Sequence, residues 1–304
     1  MTESQIDVVT GAFGYSGAAI ARELLAAGHG VRTLTGHGDR APAETPIDVR
    51  PLDFADPEGL VRDLTGAHTL YCTYWIRFPH GEVTHDTAVA NLRTLFDAAR
   101  RAGIQRIVHV SILRPDPSSP YPYFRGKAAA EQYLASVGVP HAIVRPAIFF
   151  GGDGVLLNNI AWLLRRLPAF AIGGRGDYRV RPIHVDDMAQ LCVRLGSGTE
   201  TVTMDAVGPE SLPFRDMVAA IRSAVGSRCL IVPAPGWLIP PMSAVLGAAL
   251  RDTLLTAEEY YAMAEGLADS GAPATGDTSL TKWIAAHGDS LGRAYANELT
   301  RHYR

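Results

Sequence analysis

Three residues of this 304-residue chain have the types and spacing to move a proton together: Ser111, Tyr123 and Lys127. The run Tyr123-Phe124-Arg125-Gly126-Lys127 puts a phenol and an amine four residues apart at the start of a predicted helix, hence on one face of it. A phenol, with an unperturbed pKa of about 10, is a poor acid at neutral pH, but a neighbouring ammonium stabilises its anion and lowers that value. Such a tyrosine can give or take a proton. Ser111, at the end of a predicted strand, offers a hydroxyl that can orient a carbonyl oxygen on the same proton path. Taken singly, serine ends many strands and tyrosine begins many helices. Lysine, however, is rare here: Lys127 and Lys282 are the only two among 28 basic residues.

A second stretch with chemical meaning is Val8 to Gly17, a short apolar strand running into a helix through Gly11, Gly14 and Gly17. Glycines at such a junction permit a tight turn, a close backbone approach to a ligand and close packing of helix on sheet. The helix N-terminus beyond them favours a phosphate. The second strand, Gly30 to Thr35, ends without the acidic residue that would hold the ribose 2′-hydroxyl of NAD. His37 and Arg40 stand nearby instead, with Arg32 inside the strand, which tilts the expectation towards NADP, with NAD possible.

These residues need a scaffold, and the chain supplies an alternation. Strands are predicted at 30–35, 47–52, 68–73, 106–111 and 141–145 after the first, with helices at 18–27, 57–64, 84–101 and 123–137 between them. The fold class expected is α/β, a doubly wound parallel (Rossmann) sheet over residues 1–150. Helix 184–196 and strand 201–205 are expected to return to it, and 151–304 to form most of a smaller mixed α/β substrate lobe. Right-handed crossovers place the strand C-terminal ends, and so the ligand, along one rim.

Composition sets further bounds. With 47% hydrophobic and 19% charged residues and a net charge of -3, neither disorder nor a nucleic-acid footprint is indicated. Cys72, Cys192 and Cys229 show no metal spacing and no disulfide framework. No signal-peptide pattern precedes the first strand, so a cytoplasmic protein acting on a small molecule is expected. The stretch 229–250 carries one charge-free segment from Cys229, but its four prolines argue against a membrane-spanning helix. It reads as a buried strand and a helix over the substrate pocket, with membrane-surface contact the lesser alternative.

With these motifs the chain resembles the short-chain dehydrogenase/reductase superfamily in its extended or atypical, epimerase/dehydratase-like branch. Thr10-Gly11-x-x-Gly14-x-x-Gly17 is similar to that branch's cofactor loop, and Ser111, Tyr123 and Lys127 match its catalytic set residue by residue. The resemblance implies cofactor contacts from Gly11, Phe13, Gly14, Tyr15 and Gly17, and from His37 and Arg40. It adds Asp53 and Phe54 at the adenine, Cys72 and Thr73 after strand four, and Lys127 and Pro146 by the nicotinamide. Arg145-Pro146-Ala147 and His184-Val185-Asp186-Asp187 look like two further markers, the second mainly structural. Cys72-Thr73-Tyr74-Trp75, in place of a small-residue turn, is more similar to the NmrA-like proteins and the complex I accessory subunits. Asn91 stands where the superfamily often carries a relay asparagine.

The function implied is NAD(P)-dependent oxidation or reduction of a carbonyl or hydroxyl on a hydrophobic small molecule, with no metal. Tyr74, Trp75 and Asn159 are the expected substrate contacts, although the aromatic run Tyr74 to Phe78 equally reads as a segment packed under another. Epimerase or dehydratase chemistry by transient oxidation uses the same residues. A non-catalytic NAD(P)-binding sensor or assembly factor is the alternative from another class.

Overall fold

Strand β1 (Ile6–Thr10) is buried from Asp7 onward, and it lies near the middle of a seven-stranded sheet in a computed structural model that describes residues 5–152 and 154–303. Its companions are β2 (Gly30–Thr35), β3 (Asp48–Pro51), β4 (Thr69–Cys72), β5 (Arg106–Val110), β6 (His141–Pro146) and β7 (Val202–Ala206). The order across the sheet is β7-β6-β5-β4-β1-β2-β3, and every pairing is parallel. Strand order reverses between β1 and β4, so the chain leaves these two strands in opposite directions and opens a crevice at their C-terminal ends. This is a doubly wound α/β fold.

The helices are formed by local chemistry that the sequence states openly. Helix α1 (Tyr15–Ala26) follows β1 directly. In α2 (Pro57–Leu64) proline occupies the first turn and Asp56 caps it, accepting from Gly59 N–H at 2.9 Å. Helix α3 (His85–Arg101) is capped by Thr84 and buries Val89, Leu92, Leu95 and Phe96 along one stripe. Leu92, Leu95 and Phe96 meet Leu60 and Leu64 of α2, Leu70 and Ile107 of the sheet, and Leu134 of α4 (Pro122–Ser136) in one core. Each such leucine contributes about 1.5–3 kcal/mol by leaving water. Helix α5 (Val185–Gly196) packs against α1, and its first-turn Asp186 pairs with Arg22.

Two compact units result. One holds the chain up to Pro146 together with Val185–Ala206; the other holds Ala147–His184 and the chain from Val207 on. The second unit has its own core, in which Phe150, Leu157, Ile160, Met217 and Ile221 are buried. Its helices include Val155–Arg166, Phe214–Ala224 and Leu280–His287, and the strands Ala169–Gly173 and Leu230–Ala234 pair in parallel.

The stretch 229–250 differs from the buried strand and helix expected. Strand Leu230–Ala234 has one partner only and an open edge, and helix Ile239–Leu250 buries little beyond Ile239 and Gly247. Trp237 and Val245 are 68% and 72% exposed. Among the described residues no helix is long and apolar enough to cross a membrane.

Candidate active site

The glycine loop is built from three positions with different duties. Gly11 takes a left-handed φ of +65° to turn the chain out of β1, and its N–H donates to Leu34 O at 2.9 Å. Gly17 is the packing glycine: a Cβ there would stand 2.8 Å from the Gly11 carbonyl carbon. Gly14 is exposed and caps α1 without any side-chain bond, and the first turn of α1 holds no acidic residue. The helix thus brings no carboxylate of its own first turn to its N-terminal N–H groups. Phe13 and Tyr15 flank Gly14, both partly buried.

Threonines brace this loop, the expected cofactor contact Thr73 among them. Thr73 N–H donates to Thr10 Oγ1 at 2.8 Å while the Thr73 hydroxyl donates to Thr10 O at 2.6 Å. Thr33 Oγ1 donates to Val9 O at 2.8 Å and accepts from Ala12 N–H at 3.0 Å. The ends of β1, β2 and β4 are thus riveted to one another where the crevice opens. Cys72 itself is wholly buried, and burial pushes its thiol up to about 11.

At the end of β2 the candidate cations separate. Arg32 is committed, donating from Nε to Asp48 at 2.8 Å and from a terminal nitrogen to Asp63 O at 2.7 Å. Arg40 closes a short 3-10 turn, Gly38–Arg40, whose entry is fixed where His37 N–H donates to Thr35 Oγ1 at 3.1 Å. His37 is exposed and Arg40 partly buried. Asp53 is exposed and accepts from Ala55 N–H at 2.8 Å, and the Phe54 ring packs on Tyr74 at 4.8 Å.

The residues expected to handle the proton sit on α4, Tyr123 and Lys127, and just after β5, Ser111. Lys127 is buried and donates from Nζ to Val110 O at 2.9 Å, beside Ser111. Burial pushes its pKa down to about 7, with Cys72 and Glu131 opposing. The indole of Trp75 lies over Nζ at 4.5 Å and stands edge-on to Tyr123 with ring centroids 5.7 Å apart. Residue 126 admits that indole: a Cβ there would be 2.9 Å from the Trp75 ring. A glycine inside a helix costs about 1 kcal/mol relative to alanine, which is the one sequence signal that something must approach there.

His85 was not singled out by any motif. Its ring stacks on Trp75 at 5.8 Å and meets Tyr123 edge-on at 5.5 Å, and burial, then Lys127, lowers its pKa. The buried polar atoms of this unit without a hydrogen-bond partner among the described residues include Trp75 Nε1, His85 Nδ1, both His109 ring nitrogens and Ser111 Oγ. A buried polar group left unpaired costs about 1–3 kcal/mol, so their gathering beside Tyr123 and Lys127 fits a site that a polar ligand completes.

Other expected residues have structural duties. Asn91 spends its amide on Tyr74, donating to the phenol at 2.8 Å. Arg145 is held by Glu131 through two hydrogen bonds, and Pro146 O accepts from Leu113 N–H at 2.8 Å. Asn159 lies in the second unit, buried, with its amide donating to Ala296 O at 2.9 Å and accepting from Ala296 N–H at 3.0 Å. Its side chain thus clamps the chain's own backbone at Ala296.

Residues 11–160 match the family described as NAD(P)H-binding. Among curated proteins, the chain is similar to the 40 kDa subunit of mitochondrial NADH-ubiquinone oxidoreductase from Neurospora crassa, 26% identical over 176 residues, or 57% of this chain and 46% of that one. The chain thus spans less than half of that relative's length. Among solved structures, its fold is similar to Citrobacter sp. triphenylmethane reductase complexed with NADP(H), at a TM-score of 0.77 and 20% identity, covering 93% of this chain and 99% of that one. It is also similar to an Escherichia coli NADPH-dependent quinone oxidoreductase complexed with NADPH, at a TM-score of 0.75 and 20% identity, covering 92% and 99%. Residues 11–160 thus correspond to an NAD(P)H-binding domain, and the fold of the chain is similar to those of these two reductases.

Proposed function

We propose that this protein is an NADP(H)-dependent oxidoreductase acting on a carbonyl or hydroxyl of a hydrophobic small molecule. The observation that carries the reading is the Ser111 hydroxyl, buried and without a partner among the described residues, directly after Val110, whose carbonyl accepts from Lys127 one helical turn along α4 from Tyr123. A substrate oxygen is the acceptor that such a hydroxyl lacks.

The cofactor, when bound, supplies or takes the hydride. The protein's own part is proton transfer and orientation. Ser111 donates its hydrogen bond to the reacting oxygen and fixes the carbonyl plane. Tyr123 passes its phenolic proton to that oxygen in the reducing direction and recovers it in the oxidising one. Lys127 stabilises the phenolate electrostatically, from one turn along the same helix face. The open first turn of α1 accounts for the pyrophosphate and Arg40 for a 2′-phosphate. The second unit is assigned the substrate lobe. The reductases among the similar folds support this reading over a purely structural one.

A second reading is a cofactor-binding protein without turnover, favoured by the similarity to a respiratory complex subunit. Two measurements separate them. Calorimetric titration of NADPH and NADH tests binding, and nicotinamide absorbance tests turnover with ketones, enones, quinones and nucleotide sugars, the last covering transient-oxidation chemistry. NADPH consumption with a carbonyl or quinone acceptor is the expected result; tight NADPH binding with no consumption across the panel would overturn the enzyme reading.

A further inference from the structure

The indole of Trp75 touches both proton-handling side chains at once. Its face covers Lys127 Nζ at 4.5 Å, its ring meets Tyr123 edge-on at 5.7 Å, and His85 backs it in a parallel stack at 5.8 Å. It reaches this place across helix α4 only because residue 126 has no side chain, since a Cβ would stand 2.9 Å from indole Cη2 and 3.3 Å from Cζ2. Lys127 needs such a neighbour. An ammonium has three donors, yet among the described residues its hydrogen-bond acceptor is Val110 O, and the side chain is 2% exposed. A π face over the nitrogen supplies electrostatic attraction where water and further acceptors are excluded.

We propose that Trp75 is a positioning residue for the Lys127–Tyr123 pair, with Gly126 the slot that admits its indole. The face holds the ammonium in its charged form beside the end of β5, and the edge contact sets the plane of the phenol. This rests on the proton-transfer reading of the site, but it is testable without any turnover. The titratable groups around Lys127 are Cys72 on β4, His109 on β5, Glu131 on α4 and His85 on α3. Of these, His85 stacks on Trp75, so its own ring resonances are followed beside those of Lys127 in every variant.

The test uses the scarcity of lysine. Protein labelled with 13Cε-lysine gives two resonances, Lys127 and the exposed Lys282, the second serving as an internal reference. Trp75→Leu keeps an apolar cover but removes the π face. The Lys127 midpoint should fall by about half to one pH unit in that variant, with Trp75→Phe intermediate and Lys282 unmoved. A folded Trp75→Leu whose Lys127 midpoint is unchanged or raised would overturn the proposal.

If Trp75→Leu does not fold, Gly126→Ala and Trp75→Phe carry the same test. Gly126→Ala should lower the midpoint by displacing the indole, and the shift should shrink when residue 75 is phenylalanine, because the two changes act on one contact. Independent, additive shifts would overturn the proposal equally. A lysine that titrates as expected in a protein without turnover would keep the positioning role and remove only the catalytic reading.

Discussion

Gly17 packs so closely on Gly11 that a Cβ at residue 17 would stand 2.8 Å from the Gly11 carbonyl carbon and 3.0 Å from Thr10 O. Backbone cannot yield there as a flexible side chain would. Gly17→Ala should therefore cost about 3 kcal/mol or more of stability, read from denaturant unfolding. Gly14 differs, because a Cβ meets only Gly11 O, at 3.2 Å. Gly14→Val should fold and lose NADPH binding, since its side chain would occupy pyrophosphate space. Undiminished binding by a folded Gly14→Val protein would reduce the loop to a structural turn.

The proposed preference for NADPH rests on Arg40, since Arg32 is spent on Asp48 and Asp63. Arg40→Ala should weaken NADPH by about 10- to 100-fold, the range for losing a hydrogen bond to a charged group, and leave NADH little changed. Calorimetry of both cofactors against both proteins checks it. A wild type that prefers NADH would contradict the assignment.

The alternation of apolar strands and capped helices made β1 to β6 and α1 to α4 legible, because each element announces itself locally. Asp56 and Thr84 cap where the pattern begins, and Pro57 stands in a first helical turn. Tyr123 and Lys127 were legible for the same reason, being four apart on one helix. What was not legible depends on approach between distant segments. Nothing near residue 75 says that its indole will rest on Lys127, and His85 is to local inspection only the first residue of a helix. The stretch 229–250 misled because apolar composition reports burial only on average, and Trp237 and Val245 remain exposed.

Stability should depend on pH through Lys127. Its pKa is depressed from 10.5 in the unfolded reference to about 7 in the fold, so between those values the unfolded chain binds more protons. Stability from this group therefore rises with pH across that window, at up to about 1.4 kcal/mol per pH unit, and is lowest below pH 7, where the buried ammonium must be kept charged. Lys127→Met removes that dependence. The difference in unfolding free energy between Lys127→Met and wild type should be largest near pH 6 and shrink towards pH 10. A difference constant with pH would mean that the buried amine is not depressed.

Tyr123 decides whether the site turns over by proton transfer. Tyr123→Phe removes one hydroxyl and keeps the ring that meets Trp75, His85 and Phe124, so the fold and NADPH affinity should survive. Turnover with the best acceptor of the screen should fall by about 10²- to 10⁴-fold, the usual contribution of a general acid or base. Ser111→Ala should lower turnover less and raise KM as well, since it orients the substrate oxygen without supplying the proton. The two losses should not add in the double variant, because both act on one oxygen. Near-wild-type turnover by Tyr123→Phe would leave hydride transfer standing and assign the proton elsewhere, with His85, unpartnered at Nδ1 and 5.5 Å from the phenol ring, the next residue to replace.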